Sequence, residues 1–139
     1  MATYNKYQLG IEKMVEGNHT ALDTWQIILS NTAPNPATNT TAVSATELGT
    51  AGGYTLGGKN CTVTSAVSTG GVYKLLLASP GTWTANAGGF TFQYVILYNL
   101  TQTQCIGWWD YGSPVVMSGA NGDTFTPTLD AVGGTFTIT

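Results

Sequence analysis

Hydrophobic residues in this chain gather in short runs separated by glycine-rich breaks. Trp25 to Leu29 (WQIIL) is a compact apolar run of the kind that fills a buried strand. Asn60 to Ala66 (NCTVTSA) alternates, and Val72 to Leu77 (VYKLLL) reads as the next strand. Phe90 to Tyr98 (FTFQYVILY) is the longest run, and its β-branched and aromatic content favours strand over helix. Cys105 to Tyr111, Pro114 to Met117, Asp123 to Leu129 and Gly134 to Ile138 complete the set. The breaks carry Gly52-Gly53, Gly57-Gly58, Gly70-Gly71, Pro80-Gly81, Gly88-Gly89, Asn121-Gly122 and Gly133-Gly134, dipeptides that supply the backbone of tight turns. Pro127 falls inside one run and cannot donate a ladder hydrogen bond, which predicts an edge or a bulge there.

Helical signals are few. Gly10 to Glu16 predicts one or two turns with Ile11, Met14 and Val15 on one side, although the alternation of Tyr7, Leu9 and Ile11 fits a strand as well. Ser44 to Leu48 offers a further short turn, with Ser44 and Glu47 at capping-box spacing. Asn31 to Thr41 is polar, holds two prolines, and predicts an exposed loop. The pattern therefore predicts an all-β fold over residues 1–139. It is an antiparallel β-sandwich or jelly roll in one domain, with at most one short N-terminal helix.

Charge changes the picture most. Four lysines, no arginine and seven acids make 11 charged residues of 139, or 8%, against about 25% in an average globular protein. A net charge of −3 leaves no basic footprint for a nucleic acid. Hydrophobicity of 42% with so small a net charge argues against disorder. No stretch approaches the roughly 20 apolar residues of a membrane-spanning helix. The opening MATYNKYQLG has no hydrophobic signal core, so no secretion signal is expected. Two readings of the low charge stand: a surface of uncharged polar residues, 24 threonines among them, or a surface largely covered in an assembly.

The search for chemistry yields little. His19 is the one histidine, so any Ser-His-Asp or Cys-His mechanism would have to use it, and its polar neighbourhood reads as a loop or strand start. Cys61 and Cys105 lie in predicted strands, either as two buried thiols or as a disulfide if the strands adjoin. The acids Glu12, Glu16, Asp23, Glu47, Asp110, Asp123 and Asp130 show no calcium-loop spacing, and several sit beside turn glycines. There is no phosphate-binding glycine loop. The expectation is no catalytic set, no metal and no cofactor.

The most pointed feature is Ile106 to Gly112 (IGWWDYG). Adjacent Trp108 and Trp109 in a strand face opposite ways, so at most one enters a given core layer. The other packs elsewhere in the chain, meets a partner protein, or stacks on a sugar with Asp110 and Tyr111 beside it.

Several segments together carry a resemblance. They are WQIILSNTAP (Trp25 to Pro34), GGYTLGG (Gly52 to Gly58), VYKLLLA (Val72 to Ala78), TWTA (Thr82 to Ala85), GGFTFQYVILYN (Gly88 to Asn99), IGWWDYG (Ile106 to Gly112) and NGDTFTPTLDA (Asn121 to Ala131). In this order the chain resembles small structural proteins encoded in the morphogenesis regions of tailed bacteriophages, of the head decoration or cement type. It departs from their pattern in having no arginine after the phenylalanine of Phe92-Gln93-Tyr94, and in its short 99–105 turn.

The resemblance implies a non-enzymatic virion protein on the capsid exterior, made in the cytoplasm of a bacterial host. It would bind the major capsid protein and itself, as a trimer. It also implies that residues 1–20 can serve as an N-terminal arm, for which Tyr4 to Leu9 is suited; the same residues also fit the first strand of the domain's own sheet. The expected interface residues are Tyr4, Tyr7, Leu9, Trp108, Trp109 and Tyr111. The alternative placement is a tail, baseplate or fibre module that binds host glycans or other tail proteins.

Overall fold

A computed structural model describes residues 2–17, 19–38, 40–41 and 45–139. Among these residues, ten strands and one helix follow in the order β1 (Thr3–Lys6), α1 (Gln8–Val15), β2 (Trp25–Ser30), β3 (Lys59–Cys61), β4 (Val63–Thr69), β5 (Val72–Leu77), β6 (Trp83–Thr84), β7 (Phe90–Asn99), β8 (Gln104–Met117), β9 (Thr124–Phe125) and β10 (Phe136–Ile138). The fold is all-β and sandwich-like, with one short helix. A five-stranded sheet in the order β1-β8-β7-β2-β3 faces a three-stranded sheet in the order β10-β5-β4. β6 and β9 form a separate two-stranded pair, and every pairing is antiparallel.

Alternation explains how the layers meet. Trp25, Ile27 and Leu29 of β2, Val95 and Leu97 of β7, and Ile106 of β8 point to one side of the large sheet. There they pack with Leu75, Leu77 and Phe136 of the small sheet. The opposite face of the large sheet is buried too, in a second cluster of Tyr7, Ile28, Ala45, Tyr94, Ile96, Tyr98, Cys105 and Trp108. Burial on both faces is why all six residues of β2 are buried and why WQIIL reads as continuously apolar.

The two sheets are tied at both edges. At one, only Thr62 separates β3 from β4, so the chain turns directly from one sheet into the other. At the other, Lys6 of β1 reaches β10, donating to the Thr137 carbonyl at 3.3 Å and lying 5.3 Å from the Phe136 ring centre. The β8 outer edge is shared by β1, which pairs with residues 107–110, and by Tyr7, whose N–H donates to the Ile106 carbonyl at 3.0 Å.

Several expectations need adjusting. The helix begins at Gln8, so the alternating-strand reading of Tyr7, Leu9 and Ile11 fails; the strand stops at Lys6. The runs at 105–111 and 114–117 are one 14-residue strand bent by a bulge: Phe92 pairs with Val115 but Tyr94 pairs with Asp110, leaving Gln93 opposite residues 111–114. Gly112 takes φ +78° there, a conformation that a side chain disfavours. Asp123 to Leu129 is strand only at Thr124–Phe125, and Pro127, with no N–H to give a ladder, lies beyond it rather than at a strand edge. The turn expected at Ser44 to Leu48 starts outside the described residues. Within them Glu47 forms an isolated antiparallel bridge with Ser30.

Cys61 and Cys105 are free and buried. They sit on β3 and β8 with two strands between them, about 14 Å at the usual strand spacing, which is too far for a disulfide.

Candidate functional site

The six aromatic and apolar residues singled out by sequence divide across the large sheet. Tyr4 pairs with Trp109, and Asn5 with Trp108, so the period of two sends the two indoles to opposite faces. Trp108 is buried in the second cluster with its ring 4.7 Å from that of Tyr7. Tyr7 is fully buried within the chain. Neither presents a surface to a partner, which corrects their assignment as interface residues. Tyr7 stands where strand gives way to helix, and its ring fills the inner layer. Leu9, on α1, is half-buried. Residues 3–6 form the edge strand of the chain's own sheet, so the intramolecular reading of this segment holds over the arm.

Tyr4, Trp109 and Tyr111 converge on the other side. The Tyr4 ring lies over Gly107 and 4.7 Å from Trp109, at an interplanar angle of 40°. Trp109 is half-buried, its inner side packed on the main core. Tyr111, carried outward by the β8 bulge, sets its edge against Phe92 at 5.8 Å and Phe125 at 5.9 Å, and remains 38% exposed. Burial raises the Tyr4 and Tyr111 phenols above the usual tyrosine range, so both are neutral hydroxyls at physiological pH.

Opposite these rings runs the segment 126–135, which leads from β9 to β10. Two cavities open in the seam between them, of about 370 Å³ and 240 Å³, and Trp109 lines both. The larger has Val95, Trp109 and Tyr111 on one wall and Thr126, Pro127 and Thr128 on the other. The smaller is bounded by Tyr4 and Trp109 on one side and by Thr128, Asp130 and Thr135 on the other. The run pattern reads Asp123 to Leu129 as strand and so does not anticipate the far wall, where Thr126 to Leu129 is loop. Proline followed by an aspartate and a glycine pair was the available signal for a loop.

Asp130 organises that wall. Its Oδ1 accepts from the amides of Val132 at 2.9 Å and Gly133 at 2.6 Å, and these bonds hold its pKa below the usual carboxylate value. Other acids do similar structural work. Asp110 accepts from Gln93 and from the Gly112 amide, holding the bulge that aims Tyr111. Asp123 caps the Ser118 amide. Glu47 accepts from the Tyr54 hydroxyl at 2.7 Å and the Gly57 amide at 2.6 Å.

His19 is buried beside the end of β7. Its Nδ1 accepts from Asn99, whose amide also donates to Asp23. The arrangement ties the segment before β2 to the β7–β8 turn. Cys61 and Cys105 are pushed up to about 12 by burial and are protonated thiols at neutral pH.

What the cleft offers chemically is a flat indole held in place before any ligand arrives, hydroxyl-bearing threonines, one carboxylate and no lysine among its lining residues. It is suited to recognition. Comparison with protein-family models, with curated proteins and with solved structures finds no match.

Proposed function

We propose that the chain is a non-enzymatic structural protein of a phage virion, a decoration protein that binds the outside of the assembled capsid and stabilises it. The observation that carries the reading is the outer face of the three-stranded sheet. Register places Ser65 beside Leu76, Val67 beside Lys74 and Thr137, and Thr69 beside Val72 on that face. Lys74 is its one charge among these residues, and Val67 is 54% exposed. A solvated sheet face normally carries polar residues in alternation with the core. A face this poor in charge suits contact with a neighbouring subunit, and the resemblance noted in the sequence names the major capsid protein and further copies of the chain, as a trimer, for that role. Binding only the assembled lattice stabilises it by mass action.

Imaging virions at side-chain resolution tests this directly. Density for the chain on the head exterior, with the β4–β5–β10 face against a neighbour, supports the reading. Particles lacking the protein should then lose heat resistance; unchanged particles refute a cementing role. The Trp109 cleft favours a second reading, a tail, baseplate or fibre module that binds glycans, for which the density would lie on the tail.

A further inference from the structure

We propose that the cleft on either side of Trp109 is a binding site for a neutral oligosaccharide, with the indole stacked on a sugar ring. The inference concerns the cleft alone and holds whether the chain sits on a head or a tail.

The argument begins with shape. Two cavities of about 370 Å³ and 240 Å³ share one tryptophan, and the larger is at the small end of ligand pockets. That size admits single rings joined in a short chain and is too small for a helix. Next is the platform. Trp109 is packed on the core from within and held by Tyr4 at 4.7 Å, so its orientation costs nothing on binding. An indole offers a broad apolar face, and a pyranose presents a matching face of C–H groups. The rim of such a sugar is all hydroxyl, and the wall facing Trp109 supplies the exposed Thr128 and Asp130, while the Thr126 hydroxyl is paired with Thr82 and the buried Thr135 hydroxyl accepts from the Leu77 amide.

Charge selects among ligands. No cation stands among the lining residues to pair with a phosphate or an acidic sugar, and Lys74, which donates to the Val132 carbonyl, lies behind Asp130. A wholly apolar ligand would desolvate the Asp130 carboxylate without replacing its hydrogen bonds, which is costly. An organic cation fits less well. Tyr4 is seated on Gly107 and Tyr111 against Phe92 and Phe125, so the rings do not close around one point. The Asp130 charge is already partly offset by two amides and by Lys74. A neutral polyhydroxylated ring meets the indole, Thr128 and the carboxylate together.

The test applies the full chain to an array of neutral gluco-, galacto- and N-acetylglucosamine oligosaccharides, with sialylated glycans and choline as comparison arms, followed by titration of tryptophan fluorescence. The expected result is saturable binding of at least one neutral glycan, weakened at least tenfold in Trp109→Ala and in Asp130→Asn, and unchanged in Val67→Thr on the remote sheet face. Thr128→Val, which keeps the aromatic packing intact, should weaken binding several-fold and decides the matter if Trp109→Ala fails to fold. Binding confined to sialylated glycans or choline, the absence of saturable binding to any arm, or neutral-glycan binding that survives Asp130→Asn and Thr128→Val would each overturn the proposal.

Discussion

The ring of Tyr4 occupies the space that a side chain at Gly107 would fill. The two residues are diagonal neighbours on β1 and β8, and a Cβ at 107 would overlap the phenol. This contact fastens the edge strand and sets the position from which Tyr4 braces Trp109. Gly107→Ala should therefore displace Tyr4, cost about 1–3 kcal/mol as an overpacking change, and raise amide exchange in residues 3–6. Urea unfolding and hydrogen exchange check both effects; an unchanged β1 would show that the ring relocates freely.

A second close approach separates packing from helix propensity. A Cβ at Gly10 of α1 would lie 2.7 Å from the Cys105 carbonyl oxygen and 2.9 Å from the Ile106 Cα, both backbone atoms of β8. Alanine gains about 1 kcal/mol over glycine in a helix interior. The clash with backbone should exceed that gain, so Gly10→Ala is expected to lower the melting temperature. A rise would mean that α1 is free to move off the sheet.

Tyr54 replaces a missing strand. β3 covers β2 only as far as Ile27, and beyond it the Leu29 N–H donates to the Tyr54 hydroxyl at 3.1 Å. That hydroxyl in turn donates to Glu47. Tyr54→Phe leaves a buried N–H without its partner and should cost about 1–3 kcal/mol with little change in shape. Chemical denaturation measures it, and a loss below about 0.5 kcal/mol would show that another acceptor reaches Leu29.

Stability should fall on mild acidification because of His19. Burial lowers its pKa below the ordinary 6.5, outweighing the favourable charge of Asp23, while Lys13 acts in the same direction as burial. In the unfolded chain His19 binds a proton as pH drops through 6.5; in the folded chain it does so only at lower pH. Folding free energy is therefore full above pH 6.5 and declines as pH falls toward the folded value. Asp23 is also shifted down from 3.8: burial raises it, but hydrogen bonds from Asn99 and Thr20 together outweigh that, so its own contribution is lost only in stronger acid. His19→Gln should flatten the melting-temperature profile between pH 6.5 and the acid limb. An identical profile would place the dependence elsewhere.

The thiols give a direct probe of the fold. With Cys61 and Cys105 buried and raised to about 12, an aromatic disulfide reagent at pH 8 should label neither in the native protein and both in denaturant. Prompt labelling of Cys61, on the edge strand β3, would mean that this edge opens in solution.

Local chemistry alone determined a good deal of this protein. The runs at 25–29, 72–77 and 90–98 became β2, β5 and β7, and the glycine pairs at 52–53, 57–58, 70–71 and 88–89 all adopt positive φ. These follow from alternation and turn geometry, which act over a few residues. The opposite facing of Trp108 and Trp109 was legible for the same reason. Which of them is buried was not, because both faces of the large sheet are covered and burial depends on what lies above each. Tertiary structure alone decided that Tyr7 joins Trp108 in the inner layer, that Tyr4 finds Gly107 about a hundred residues away, and that residues 126–135 form the far wall of the cleft. Such contacts bring together positions distant in the chain, and their energy comes from burial and hydrogen bonds that no local pattern encodes.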